Sequence, residues 1–351
     1  MTDHEVTESI IRRRMHGLYL TRKCSDLKTL AHELLGLHSW FYRNVPFSAL
    51  IRGADIRGWK TRLTKTWLYR GTLHGVAYED LPDLLALSAG ESKDGYFSWL
   101  SVEHGEETIR AIADEVVRLM EDGVYSRAEF RMIFSDRFEH KIIDSVFSPW
   151  GGVFVYLARQ GKVAFQDMAS RDFDLISVDM SHTYDEVLPK LLRRYFSAFG
   201  PATLADAAWF FGISKEDTKK LNELQLDDLY SFEFRRKTYY YGDDSVDIGD
   251  IPEMTLLSGF DPINSSYLPD GRLCIPQEHK SKVILKSGIC LPTIAVNGQV
   301  AGIWNIKKNQ PEIEFFTTQP KRLVSAAYEQ IEPIIWQTRE QKPAKNAYRV
   351  G

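Results

Sequence analysis

The chain has 351 residues, 44% hydrophobic and 26% charged, a globular composition long enough for two or three domains and unlike a disordered or fibrous protein. It lacks an 18-residue apolar run for a membrane span and a basic-then-apolar leader at its start, and its three distant cysteines, Cys24, Cys274 and Cys290, speak against a disulfide framework, so a cytoplasmic protein is expected. The net charge of −4 is unevenly spread, with +7 over residues 1–76, −14 over 77–250 and +3 over 251–351, so the first segment either meets a polyanion or docks on the acidic middle of the same chain.

Helical patterns dominate as far as about residue 235. One covers Glu5 to Leu18 and carries Arg12, Arg13 and Arg14. Ser25 is placed to cap a second, whose Leu27, Leu30, Ala31, Leu34 and Leu35 form one apolar stripe before Gly36 ends it. A short third helix begins near Pro46, and strands Thr66–Leu68 and Thr72–Val76 flank Arg70-Gly71. Three helices and a hairpin are the winged-helix order. The order recurs with a helix over Glu106–Met120, a Ser126/Glu129 capping box, a helix from Ser148-Pro149 to Gly161, and a hairpin of Val163–Phe165 with Phe173–Ile176. It recurs again with helices over Glu186–Phe196, Leu204–Phe211 capped by Thr203, and Lys215–Leu224 capped by Ser214 and Asp217. There the wing is Tyr230–Phe234, the turn Arg235-Arg236-Lys237 and Tyr239–Tyr241. Helix, turn, helix and wing is how many DNA readers are organised. After residue 250, Ile289–Val296 and Gln299–Ile306 flank the hairpin signal Asn297-Gly298, Glu312–Phe316 adds a strand, and Pro320–Arg339 reads as a final helix. Residues from Lys342 onward read as a frayed end.

The expected fold is therefore mainly α with β-wings (α+β): winged-helix units over 1–100, 101–180 and 181–250, and a small C-terminal β domain with a final helix over 251–351. Neither His spacing for a metal, nor a Walker loop, nor a Rossmann glycine fingerprint occurs, so no cofactor and no metal are expected.

Three groups of residues carry a resemblance. They are Leu34-Leu35-Gly36-Leu37-His38-Ser39-Trp40 with Thr66-Trp67-Leu68-Tyr69-Arg70-Gly71-Thr72-Leu73-His74; Gly200 to Trp209; and Phe260-Asp261-Pro262 with Pro292-Thr293 and Asn297 to Trp304. In this order they resemble the AlkZ/YcaQ-like DNA glycosylases. The resemblance implies three winged-helix units in a concave ring and excision of alkylated purines, bulky adducts and interstrand crosslinks included. The catalytic element of that family, Gln–apolar–Gln, falls on His38-Ser39-Trp40, and this chain departs from it at all three positions.

Excision passes through an oxocarbenium-like sugar, so the catalytic group must orient a water without bringing positive charge. A neutral His38 can do this and can also take the water's proton, and activity is then expected to rise with pH as the imidazole deprotonates. Trp40 offers one donor and no acceptor, so its candidate role is stacking on a base or plugging a gap in the duplex, against a place in the core. Arg70 and His74 are candidates for phosphate or base contacts in the same pocket; otherwise Arg70 pairs with Glu79 or Asp80. Lys60, Arg62 and Lys65, and the wing residues Arg235, Arg236 and Lys237, are candidate phosphate clamps or solvated surface. The Lys215, Lys219 and Lys220 helix is balanced by acids and reads as scaffold. The expected partner is duplex DNA, bound by a monomer away from membranes. Two other classes fit the same order of elements: a winged-helix DNA-binding protein without catalysis, and a protein-interaction scaffold using the acidic middle.

Overall fold

The computed structural model describes residues 2–90, 95–224, 226–244 and 247–340. The segment from Lys342 onward lies outside them, as do the side chains of Lys215, Glu216 and Lys220.

Helix α1 (Asp3–Gly17) starts at a Thr2/Glu5 capping box. Helix α2 (Leu27–Glu33) is capped by Asp26 rather than Ser25, because the Asp26 carboxylate accepts from the Thr29 N–H at 2.7 Å. Strand β1 (Leu37–His38), α3 (Asn44–Ile51), α4 (Trp59–Arg62) and the hairpin β2 (Thr64–Trp67) and β3 (Leu73–Val76) complete the first group. Helices α5 (Leu81–Gly90), α6 (Gly95–His104), α7 (Glu106–Glu121), α8 (Arg127–Ser135), α9 (His140–Val146) and α10 (Val153–Arg159) lead to β4 (Val163–Phe165) and β5 (Phe173–Leu175). Ser148-Pro149 sits in a turn, and α10 starts only after Gly151 and Gly152, both at positive φ. At Gly152 a Cβ would stand 1.9 Å from the Val146 carbonyl oxygen, so the close approach requires glycine there.

Helices α11 (Tyr184–Phe199), α12 (Leu204–Phe211) and α13 (Lys215–Leu221, a turn shorter than its sequence pattern) precede the hairpin β6 (Tyr230–Phe234) and β7 (Lys237–Tyr241). The C-terminal part contains β8 (Met254–Leu257), which periodicity does not signal, then α14 (Pro262–Ser265), α15 (Lys280–Val283), β9 (Thr293–Val296), β10 (Gln299–Lys307), β11 (Gln310–Phe315) and α16 (Lys321–Glu340).

The strands form three antiparallel groups, ordered β1-β3-β2-β4-β5, β11-β10-β9-β8 and β6-β7. The first two hairpins are thus not separate wings. Lys65 on β2 pairs with Phe165 on β4, and together they make one five-stranded sheet. One face of that sheet lies on the largest core, built on α2, α11 and α12; the other lies on a second core of α7, α8 and α10. A third core seats α16 against the C-terminal sheet and α3. Among the described residues no helix is long and apolar enough to cross a membrane, and no three His, Cys, Asp or Glu cluster as a metal site would need.

Candidate active site

His38 and His74 are directly opposed across β1 and β3, and Thr66 on β2 opposes His74 in turn. Residues opposed in an antiparallel pair project to the same face, so all three share one side of the sheet. The His74 ring is buried, edge-on to Tyr69 at 5.0 Å and to His38 at 5.6 Å. Gly36, at φ +100°, makes room: a Cβ there would press on Val76 and on the His74 side chain. His74 Nδ1 lies 3.2 Å from the Thr72 carbonyl, which assigns its proton to Nδ1. Burial, and then the nearby Arg70 charge, hold the His74 imidazole down at about 3 despite that bond.

His38 stacks flat on Phe260, with ring centroids 4.0 Å apart and planes 4° apart. Burial, followed by His74 and Arg70, pushes its pKa well below the ordinary 6.5. Its Nδ1 is buried and meets no hydrogen-bond partner among the described residues, while the residue as a whole is partly exposed. Phe260 sits in the left-handed region at φ 54°, a conformation that costs a non-glycine residue about 1–2 kcal/mol. The next residue holds it there. Asp261 is fully buried and forms a two-pronged pair with the equally buried Arg52 at the C-cap of α3 (3.0 and 2.9 Å), and Arg52 also binds the Leu18 carbonyl and Ser48. The Phe260-Asp261-Pro262 stretch thus ties α3 to the ring that flanks His38.

Beside this pair, Arg70 is exposed, in the left-handed region at φ 56°, with its guanidinium 4.0 Å above the Trp209 ring. Arg272 approaches the same indole at 5.2 Å. Glu79 is taken by Lys28, and Asp80 by His32 and Arg194, so the pairing considered for Arg70 with these acids is not the one formed.

Trp40 lies in different surroundings. It stacks on Trp150 at 5.7 Å and 10°, over a cleft of about 360 Å³ shared with Lys65, Trp67, Leu73 and Phe165. Lys65 pairs with Phe165, and Trp67 with Leu73, in the register that points away from His74. Positions 38 and 40, separated by Ser39, therefore feed opposite sides of the sheet.

A family model for AlkZ-like DNA glycosylases matches residues 60–334. The chain belongs to the AlkZ-like DNA glycosylase family. It is 25% identical over 264 residues, 70% of each chain, to an interstrand DNA cross-link repair glycosylase of Streptomyces sahachiroi. It also shares the fold of the DNA glycosylase AlkZ of Streptomyces sahachiroi, with a TM-score of 0.75 at 20% identity over 94% of this chain and 96% of that one.

In this AlkZ-like chain most of the basic candidates are engaged within the protein. Arg62 binds Asp26 at 2.6 Å and the Asp55 carbonyl. Lys65 is buried, donates to the Ser170 carbonyl at 3.0 Å and lies over Phe165; burial lowers its ammonium to about 8, with Asp167 pulling it up and Arg171 down. Lys60 lines a separate small pocket with Arg43 and Arg339. At the β6–β7 turn Arg235 pairs with Asp3 and Lys237 with Asp270; the two-residue turn is Arg235-Arg236, both at positive φ, and Lys237 belongs to β7. The early arginines settle the charge alternative for α1. Arg12 binds Asp250, Arg13 binds Asp244, and Arg14 is buried against Tyr267, the Pro201 carbonyl and the Gly271 carbonyl. Arg272 and Trp150 carry no signal in the sequence, and Phe260 and Trp209 lie in stretches that carry the resemblance without a local sign of a place in the site. The motif signal around Phe260 was present, but nothing local says which ring it would meet.

Proposed function

We propose that the chain is a monofunctional DNA glycosylase that hydrolyses the N-glycosidic bond of alkylated or crosslinked purines in duplex DNA, working as a monomer. The observation that carries this reading is the His38–His74 pair: two imidazoles kept neutral, one of them with a buried nitrogen that meets no hydrogen-bond partner among the described residues. A buried polar atom left unmatched costs about 1–3 kcal/mol, so such an atom is suited to a water or a substrate group.

An N7-alkylated purine leaves as a good leaving group and the sugar gains positive charge. A neutral imidazole orients the attacking water without opposing that charge, whereas an imidazolium would repel it. Because the His38 pKa lies so low, its part is orientation more than proton removal, and the product proton passes on to solvent. The rise of activity with pH expected for an ordinary histidine then moves to acid, leaving a flat profile from about pH 6 to 8. Arg70, held on Trp209, takes a phosphate beside the lesion. Trp40 is assigned to stacking rather than to the hydrolytic step. The same reading keeps tandem winged-helix units around a concave surface, with divisions near residues 100, 180 and 250.

The test is release of free N7-methylguanine from methylated duplex DNA under single-turnover conditions. His38→Ala is expected to slow release about 100-fold or more while duplex binding persists. His38→Gln, which supplies a neutral acceptor of similar reach, is expected to retain release. Equal release by His38→Ala and the parent would falsify the assignment. A parent that binds DNA yet frees no base would be a DNA-binding protein without catalysis.

A further inference from the structure

The geometry points to a second nucleic-acid site, a stacking platform for an unpaired nucleobase formed by Trp40 and Trp150 on the side of the sheet away from His38. It rests on the reading of the chain as a DNA-acting protein and adds where, outside the excision pocket, an extruded or unpaired nucleotide is held.

Trp150 is 65% exposed, an unusual setting for an indole of its size. It is carried on the turn between α9 and α10, where Gly152 passes so close to the Val146 carbonyl that a Cβ would clash, and its plane lies 10° from that of Trp40. The centroid spacing of 5.7 Å leaves no room for a base between the two rings, so a base adds to the outer face of the stack. The cleft beneath is lined by Lys65, Arg127 and Arg171, and no acidic side chain lines it among the described residues. Asp167, whose charge is felt by Lys65, accepts from the backbone N–H groups of Ala169 and Ser170, both at 2.6 Å. A π-face beside clustered cations suits one ligand chemistry above others, a nucleobase with its phosphate. Sequence preference is expected to be weak, because every base offers a π-face.

The experiment compares affinities for two labelled DNAs, a fully paired duplex and the same duplex with one bulged thymine, by fluorescence anisotropy. The parent is expected to prefer the bulged DNA. Trp150→Ala should lose roughly 5- to 100-fold affinity for the bulged DNA and little for the paired one, and Trp150→Phe should keep the preference. Arg171→Gln, at an exposed position, should lower the slope of log affinity against log salt by about one. A parent with no preference, or a Trp150→Ala variant that loses affinity equally for both DNAs or for neither, overturns the proposal. Base release is scored separately. If the parent frees damaged base but Trp150→Ala leaves discrimination unchanged, the glycosylase reading stands and this one falls; if the parent prefers the bulge but frees nothing, the reverse holds.

Discussion

The two sides of the five-stranded sheet handle the same short segment in opposite ways. On one side His38 is enclosed by Phe260 and His74 and loses its proton affinity to burial. On the other, Trp40 opens onto a cleft with cationic walls and an exposed partner ring. The imidazoles of the enclosed side thus stay neutral with Arg70 at their margin, whereas on the cleft side Arg171 is exposed, where solvent screens its charge until a polyanion arrives. Adjacency in a motif does not make adjacency in a site. Two residues apart along an edge strand, the chain has ended its pairing and turned around the sheet.

The enclosed side depends on a remote strut, and removing it should give the largest effect. Arg52→Met leaves Asp261 buried without its counter-charge, a loss of about 3–5 kcal/mol. It should also free Phe260 from its left-handed conformation, so base release should fall with stability. Urea unfolding and single-turnover release on the same protein read both. The double variant Arg52→Met/Asp261→Leu should recover much of the stability without recovering release. If it recovers both, Phe260 does not need the strut and the link from α3 to His38 is broken. The cleft side, with Trp150 exposed, should be indifferent to either variant.

The strut was invisible in the sequence because it joins residues 52 and 261, which no local pattern connects. What is legible has local causes: the capping box at Ser126, the cap at Thr203, the Asn297-Gly298 hairpin, and the β2–β3 turn around Arg70-Gly71. The start of α2 is also decided locally, since Ser25 and Asp26 are both good caps and the Asp26 carboxylate is the one that accepts from Thr29. The joining of two hairpins into one sheet was missed, because a hairpin pattern fixes its own register and says nothing of its outer neighbour. Among site residues, His38, Arg70 and His74 do come together, while Arg62, Arg235 and Lys237 are ion-paired within the fold. Charge counts cannot show which arginines and lysines already face an aspartate within the fold.

A smaller effect should separate the two sides by acid. The folded His74 pKa is about 3 and its unfolded value about 6.5, so between these the unfolded chain binds more protons. Stability from this group is complete above pH 6.5 and declines as pH falls, by about 1.4 kcal/mol per unit and about 2 kcal/mol at pH 5. His38, lowered in the same direction, adds to the slope. The window from about pH 5 to 6.5 lies above the ordinary carboxylate range, so denaturant midpoints there report the imidazoles. His38→Gln should flatten the slope; a slope unchanged in that variant would mean that His38 titrates normally and is not enclosed.

The smallest effect is expected at Trp209, which faces Arg70 and Arg272. Trp209→Leu removes the ring that fixes the Arg70 guanidinium, an interaction worth about 1 kcal/mol when partly exposed. If Arg70 grips phosphate, the loss should appear as weaker duplex binding of about fivefold at fixed salt. Base release from saturated enzyme should stay near the parent rate, because the water-orienting imidazole is untouched. The opposite split, normal affinity with slower release, would move Arg70 from the phosphate to the reacting sugar and purine. It would also turn Arg70, whose charge already helps to hold His38 and His74 neutral, into a contact of the reacting group, and phosphate binding would fall to other parts of the surface.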